Sequence, residues 1–203
     1  MQKDCEDGSS TFTITAQVFE DLPGTWVLNR SLQKPSGRCI GKATFTRRQP
    51  SPIIDDEGKL QLADAEMLYH EEGEFELTRS SSGQTPNSLT FRFSHKYIWR
   101  LQKAEDIHTL SVWFTKPGTD TIDYLFHKID IALPNVHASA ESREIALQGA
   151  GGHVCVDDFY SSFYVFNLSP KAPDSVSLVS WSMTHEVRGP KKDQTIETTF
   201  TKT

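Results

Sequence analysis

The sequence predicts an all-β fold, a single antiparallel barrel of about eight to ten strands with minor helix. Three observations carry this. Apolar and polar residues alternate with period two along most of the chain, as in strands that turn one face to a core. The alternating runs end at Gly, Pro, Asn and Asp, which turn strands, and no long helical stripe competes with them. Connections are mostly short, which suits antiparallel neighbours, and closing the sheet disposes of its exposed edges.

In chain order, residues 1–10, "MQKDCEDGSS", form a polar leader expected to be disordered, and residues 11–203 form the barrel domain. "TFTITAQVFEDL" before Gly24 reads either as a short opening helix or as an extended arm. Candidate strands then cover 25–32, 40–48, 66–78, 89–101, 107–115, 122–131, 153–168, 176–188 and 194–202. Two inserts interrupt the rhythm. "RRQPSPIIDDEGKLQLADAE" is rich in Pro and acids and reads as a long surface loop. "PNVHASAESREIALQGAGG" has room for one or two helical turns stopped by glycines, with "GAGG" at 149–152 as a flexible loop. "GPKKD" at 189–193 reads as a turn into the last strand, its Pro fixing φ and its Asp capping the turn.

Composition narrows the class. The chain has 203 residues, 36% hydrophobic and 24% charged, which is globular composition with length for a full core. A net charge of −6 argues against a nucleic-acid backbone as partner, because phosphate binding needs clustered Lys and Arg. No apolar run approaches the ~20 residues that span a bilayer, and no secretion signal is recognisable. A cytoplasmic protein without membrane contact is therefore expected. Cys5, Cys39 and Cys155 are an odd set without metal-ligand spacing, expected as reduced thiols. In such a chain the glycosylation sequons at Asn29 and Asn167 are chance matches.

Gly24-x-Trp26 at the start of the first strand resembles the Gly-x-Trp signature of the lipocalin-like (calycin) barrels. A longer ordered set is similar to an uncharacterised lipocalin-like domain family. It begins with Gly24-x-Trp26-x-Leu28-x-Arg30-x-Leu32, Tyr69-x-Glu71-x-Gly73, Tyr97-Ile98-Trp99-Arg100 and Leu125-Phe126-His127. It continues with His153-x-Cys155, Tyr160, Tyr164-x-Phe166, Trp181 and Val187-x-Gly189-Pro190-Lys191-Lys192-Asp193. The resemblance implies a Trp that plugs the closed end and a basic residue from a late strand across it, here Arg188, Lys192 or Lys202. One departure is His185, four residues before Gly189, where the family resemblance leads one to expect an aromatic. The resemblance implies a fold and no reaction, so function must come from the site.

Several strand faces are apolar but interrupted by polar groups. Trp26, Leu28, Arg30 and Leu32 share one face; Met67, Tyr69, Glu71, Gly73, Phe75 and Leu77 share another. Leu89, Phe91, Phe93, His95, Tyr97, Trp99 and Leu101 form a third. Leu125, His127, Ile129 and Ile131 form a fourth, and Val179, Trp181, Met183, His185 and Val187 a fifth. A lone buried charge is expensive whereas a hydrogen-bonded Arg–carboxylate pair is tolerable, so Arg30 is expected either to pair with Glu71 in the lumen, directly or through water, or to lie as a lid over Trp26. The expected ligand-binding set is Arg30, Glu71, Tyr69, Phe91, His95, Trp99, Phe114, Phe166 and Trp181: apolar walls with few polar groups, as ligand cavities have.

The leading function from sequence is thus binding of a small, largely apolar or aromatic molecule in the barrel lumen. The alternative is a cofactor-independent isomerase, cyclase or hydrolase. In it His127 or His185 acts as acid or base, Tyr97 or Tyr164 as donor, and Arg30 stabilises an oxyanion. A third class is a barrel filled by its own side chains. No metal is expected, since His127 and His185 lack any HxH or HExxH spacing. No cofactor is expected either: the chain has no Rossmann glycine pattern and no P-loop. "GTW" with "EEGEF" is loosely similar to the nitrobindin-like barrels, which implies His127, His153 or His185 as axial ligand were haem bound. Cys155 follows His153 at strand spacing, but without a nucleophile elbow an inert thiol is the plainer assignment. The expected partner is a small-molecule ligand or substrate, and the sequence leaves the oligomeric state open.

Overall fold

The alternation read from the sequence becomes ten strands that pair each with its chain neighbour until the last meets the first. The computed structural model describes residues 7–33, 36–54, 58–79, 87–104, 107–132, 145–155, 157–172, 175–190 and 192–203. A helix, α1 (Asp7–Asp21), precedes β1 (Gly24–Gln33), β2 (Ser36–Arg48), β3 (Ile53–Ile54), β4 (Leu60–Gln61) and β5 (Ala65–Arg79). Then come β6 (Asn87–Ala104), β7 (Ile107–Thr115), β8 (Ile122–Ala132), β9 (Ile145–Cys155), β10 (Asp158–Ala172), β11 (Ser175–Arg188) and β12 (Asp193–Lys202). All but β3 and β4 belong to one closed antiparallel barrel, sealed where Trp26 faces Lys202 and Leu28 faces Phe200.

The closed end is a plug. Trp26, Leu28, Phe45, Met67 and Phe200 fill it and are buried. Helix α1 lies across this end, turning Val18 and Phe19 inward, with Leu22 buried just beyond its last residue. Of the two readings for "TFTITAQVFEDL", the helix holds, and it starts at Asp7, inside the segment read as leader. Trp26 Nε1 donates to the Leu22 carbonyl at 2.8 Å, and Asp21 accepts from the Leu178 amide at 2.8 Å, so helix and barrel are tied at both points. Between them Gly24 turns the chain with φ of 116°, a conformation that a side chain would strain. Of the three basic candidates, Lys202 lies over Trp26, its Nζ 5.3 Å from the ring centroid.

Four sequence expectations change. The segment 153–168 is not one strand but the end of β9 and most of β10, paired as a hairpin from Asp158 and Cys155 onward. The run holding "GAGG" is β9 itself rather than a flexible loop. Its glycines are there for contact: a Cβ at Gly149 would come within 2.8 Å of Ile129, and one at Gly151 within 2.6 Å of the His127 ring. The remainder of that insert, 133–144, lies outside the described residues. The other two changes are register shifts. One leaves Val179 outside while Leu178 points in; the other falls at Phe126, between the Val112–His127 and Trp113–Leu125 pairs.

The first insert carries β3 and β4 and covers the outer wall of β5 and β6. Outward-facing Ile98 on β6 is fully buried. Glu66, also outward and buried, receives Arg48 at 3.1 Å and Arg100 at 3.2 Å, and Ser51 donates to it through both its amide and hydroxyl. The Tyr97-Ile98-Trp99-Arg100 motif is therefore divided between lumen and exterior.

Replacing Trp26 by Ala should cost about 3–5 kcal/mol, the usual loss for a buried aromatic. Lys202→Met should cost no more than about 1 kcal/mol, since its cation–π contact is solvent-exposed. Urea unfolding of the two variants checks the ranking, and equal losses would contradict the plug.

Candidate functional site

Above the plug the lumen stays open. A cavity of about 580 Å3 begins at a floor of Tyr69, Trp99, Tyr164 and Trp181. These rings meet edge-to-face or tilted, Trp99 touching Tyr164 at 6.0 Å and Trp181 at 5.9 Å between centroids. Trp181 in turn stacks on Phe200 of the plug at 3.7 Å. The floor is thus held rigid by rings below it. Higher walls are Phe93, Tyr97, Phe114, Phe126 and Met183, and the rim carries Phe91, Tyr124, His153, Cys155 and Tyr160.

One polar cluster interrupts the apolar wall. Arg30 Nη2 meets Glu71 Oε2 at 2.7 Å, one of the two placements that the sequence leaves open for Arg30. Tyr69 donates to the same carboxylate oxygen at 2.6 Å, and Arg30 Nε donates to Thr198 Oγ1 at 2.9 Å. The guanidinium also rests over the Phe93 ring at 5.6 Å. Strand register explains how two groups separated by a whole strand can meet. Arg30 faces Cys39, Glu71 faces Ala43, and between these rows Leu28, Gly41 and Gly73 lie opposite one another. The two glycines leave β2 and β5 without side chains there, and a Cβ at Gly73 would come within 2.7 Å of the Gly41 Cα. Arg30 and Glu71 close over that bare row.

Two histidines, His185 and His127, are held neutral. Burial and the Arg30 charge push His185 down to about 4, and its Nδ1 is hydrogen-bonded to Ser162 Oγ at 2.8 Å. Burial, with His185 and His153 nearby, pushes His127 down to about 3, and its Nε2 lies 2.7 Å from Tyr164 Oη. Burial also pushes the Tyr97 phenol up to about 12.

Of the thirteen residues expected at the site, eleven line the cavity: Arg30, Tyr69, Glu71, Phe91, His95, Tyr97, Trp99, Phe114, Tyr164, Trp181 and His185. Two do not. Phe166 is fully buried, stacked on Trp181 and Tyr164. His127 is buried and bonded to Tyr164, while Phe126, beside the β8 register shift, reaches the wall in its neighbourhood. A period-two count cannot anticipate such a shift, and it also misplaced Tyr124. Thr198 and Ser162, which anchor Arg30 and His185, were missed as well; alternation with Phe200 and Tyr164 was the available signal. His153 and Cys155 share the lumen face, as their spacing implies. Among the described residues, no group of three His, Cys, Asp or Glu side chains is placed to hold a metal ion.

The mouth is asymmetric. The β6 strand pairs with β7 only from Tyr97 onward, so its Asn87–Lys96 half projects past the rim, held by β5 alone among the described pairings. Phe91 and Phe93 line the inside of this projection, with Phe91 half exposed. Opposite, Lys192 Nζ lies 3.0 Å from Tyr160 Oη and 3.4 Å from Asp158.

Arg30→Met strands a buried carboxylate and should cost about 3–5 kcal/mol. Arg30→Met combined with Glu71→Leu removes both charges and should recover at least about half of that loss. Denaturant unfolding of single and double variants measures this, and equal stability would mean that the pair is not coupled.

No curated protein and no solved structure matches the chain. A family model matches residues 22–202, from the end of the helix through the last strand of the barrel. The chain belongs to that family, a family of unknown function (DUF6314).

Proposed function

We propose that this protein binds a small, largely apolar or aromatic molecule inside the barrel. The observation that carries this is the open lumen itself. About 580 Å3 is the size of a cavity for a small organic ligand, and its walls are aromatic with one localised polar cluster. The free thiols Cys39 and Cys155 support the expectation of a reducing, cytoplasmic setting.

The enzymatic alternative has one observation in its favour: His185 lines the cavity together with Tyr97, oriented by Ser162. Basicity weighs against it. General bases work best with a pKa near the working pH, whereas His185 is held near 4 and His127 near 3. Tyr97, pushed up to about 12, is equally reluctant to give a proton. Such groups orient and recognise better than they transfer protons. Binding is the stronger reading.

The test uses N-phenyl-1-naphthylamine, an uncharged probe that fluoresces in apolar surroundings. It should bind one per chain with Kd on the order of 10 μM, a modest yield per heavy atom. Val112 lines the cavity and is nearly buried, so Val112→Trp should project an indole across the lumen and weaken the probe at least tenfold in a chain still folded by circular dichroism. A probe that fails to bind, or binds both forms alike, would overturn the proposal.

A further inference from the structure

We infer that the ligand is uncharged and presents a hydrogen-bond acceptor, such as an amide or ketone oxygen, to Arg30. This rests on the binding reading above and narrows the class of ligand.

Charge balance excludes the other classes. On the buried part of the wall, Arg30 and Glu71 face each other at 2.7 Å and neutralise one another. Arg92 also borders the cavity, but it is exposed at the projecting rim. A carboxylate ligand entering the lumen would set two negative groups against one guanidinium between aromatic rings. Such a ligand would either stay unpaired or displace Glu71. Displacement is closed off: the Glu71 side chain is only 3% exposed and is held by Tyr69 as well as by Arg30. A displaced Glu71 would be a buried charge without a partner. A cationic ligand would meet the guanidinium itself.

Donor capacity gives the second half. A guanidinium carries five N–H donors, and the described contacts of Arg30 engage two, with Glu71 and Thr198. Glu71 and Thr198 hold it in place, so further donors meet a ligand oxygen without rearrangement. Unengaged Arg30 donors on a largely aromatic wall call for an acceptor. Burial also keeps the neighbouring His185 neutral, so it adds no positive charge that would compensate an anion.

The experiment is a competition. N-phenyl-1-naphthylamine is bound to the protein and displaced by 2-naphthamide or by 2-naphthoate, which share a ring system and differ in charge. The amide should compete at least tenfold better than the carboxylate. In Glu71→Gln the lumen carries an uncompensated guanidinium, and that preference should fall at least tenfold or invert. The variant Arg30→Met with Glu71→Leu, expected to be the more stable, should still bind the reporter but lose at least fivefold for the amide. Naphthoate competing as well as naphthamide in the native protein, or an amide affinity indifferent to the double change, would overturn the inference while leaving binding intact. Failure of the reporter to bind at all would instead overturn the binding reading and this inference with it.

Discussion

The lumen is organised by one desolvated ion pair. Arg30 and Glu71 reach each other across the width of β2, and that reach requires a wall without side chains beneath them. Gly41 and Gly73 supply it, and small Cys39 and Ala43 flank it. The pair then ties together β1, β5 and, through Thr198, β12 at the seam where the barrel closes. Buried pairs of this kind add little net stability over an apolar substitute. What this one provides is a fixed polar point in an aromatic chamber, and the floor rings are packed from below so that neither the pair nor the cavity collapses.

Parity made most of this legible in the sequence. In a strand, two residues apart means the same face, so Arg30 beside Trp26 and Leu28, and Glu71 beside Tyr69, share inward faces, and of the two places open to Arg30 the structure takes the one against Glu71. The barrel follows from the same rule, while the Trp26 plug and the basic residue across it are what the resemblance implies. The failures fall where parity is broken. A register shift at Phe126 separated Tyr124 from the wall in the count, and another exchanged Val179 for Leu178. Strand β9 was hidden because close approach to β8 demands glycine, the residue that signals a loop. The helix is ambiguous because "TFTITAQVF" alternates like a strand, while as a helix it buries Thr15, Val18 and Phe19, with Ile14 partly buried, at three- and four-residue spacing.

Burial has also set the chemistry of the lumen. The titratable rings nearest the polar cluster are pushed away from neutrality in the direction that keeps them uncharged: His185 down and Tyr97 up. An aromatic chamber with suppressed proton transfer and one anchored guanidinium is suited to recognition by shape and a single directed hydrogen bond. The half-paired β5–β6 projection supplies an apolar approach to it, through Phe91 and Phe93.

The most direct measurement is a crystal structure of the protein soaked with 2-naphthamide, the uncharged aromatic acceptor of the competition test. An aromatic ligand should occupy the chamber above Trp99 and Trp181, with an uncharged oxygen about 3 Å from an Arg30 nitrogen and the Arg30–Glu71 contact still closed. An amide oxygen seated away from Arg30, or a lumen closed by the protein's own side chains, would contradict it.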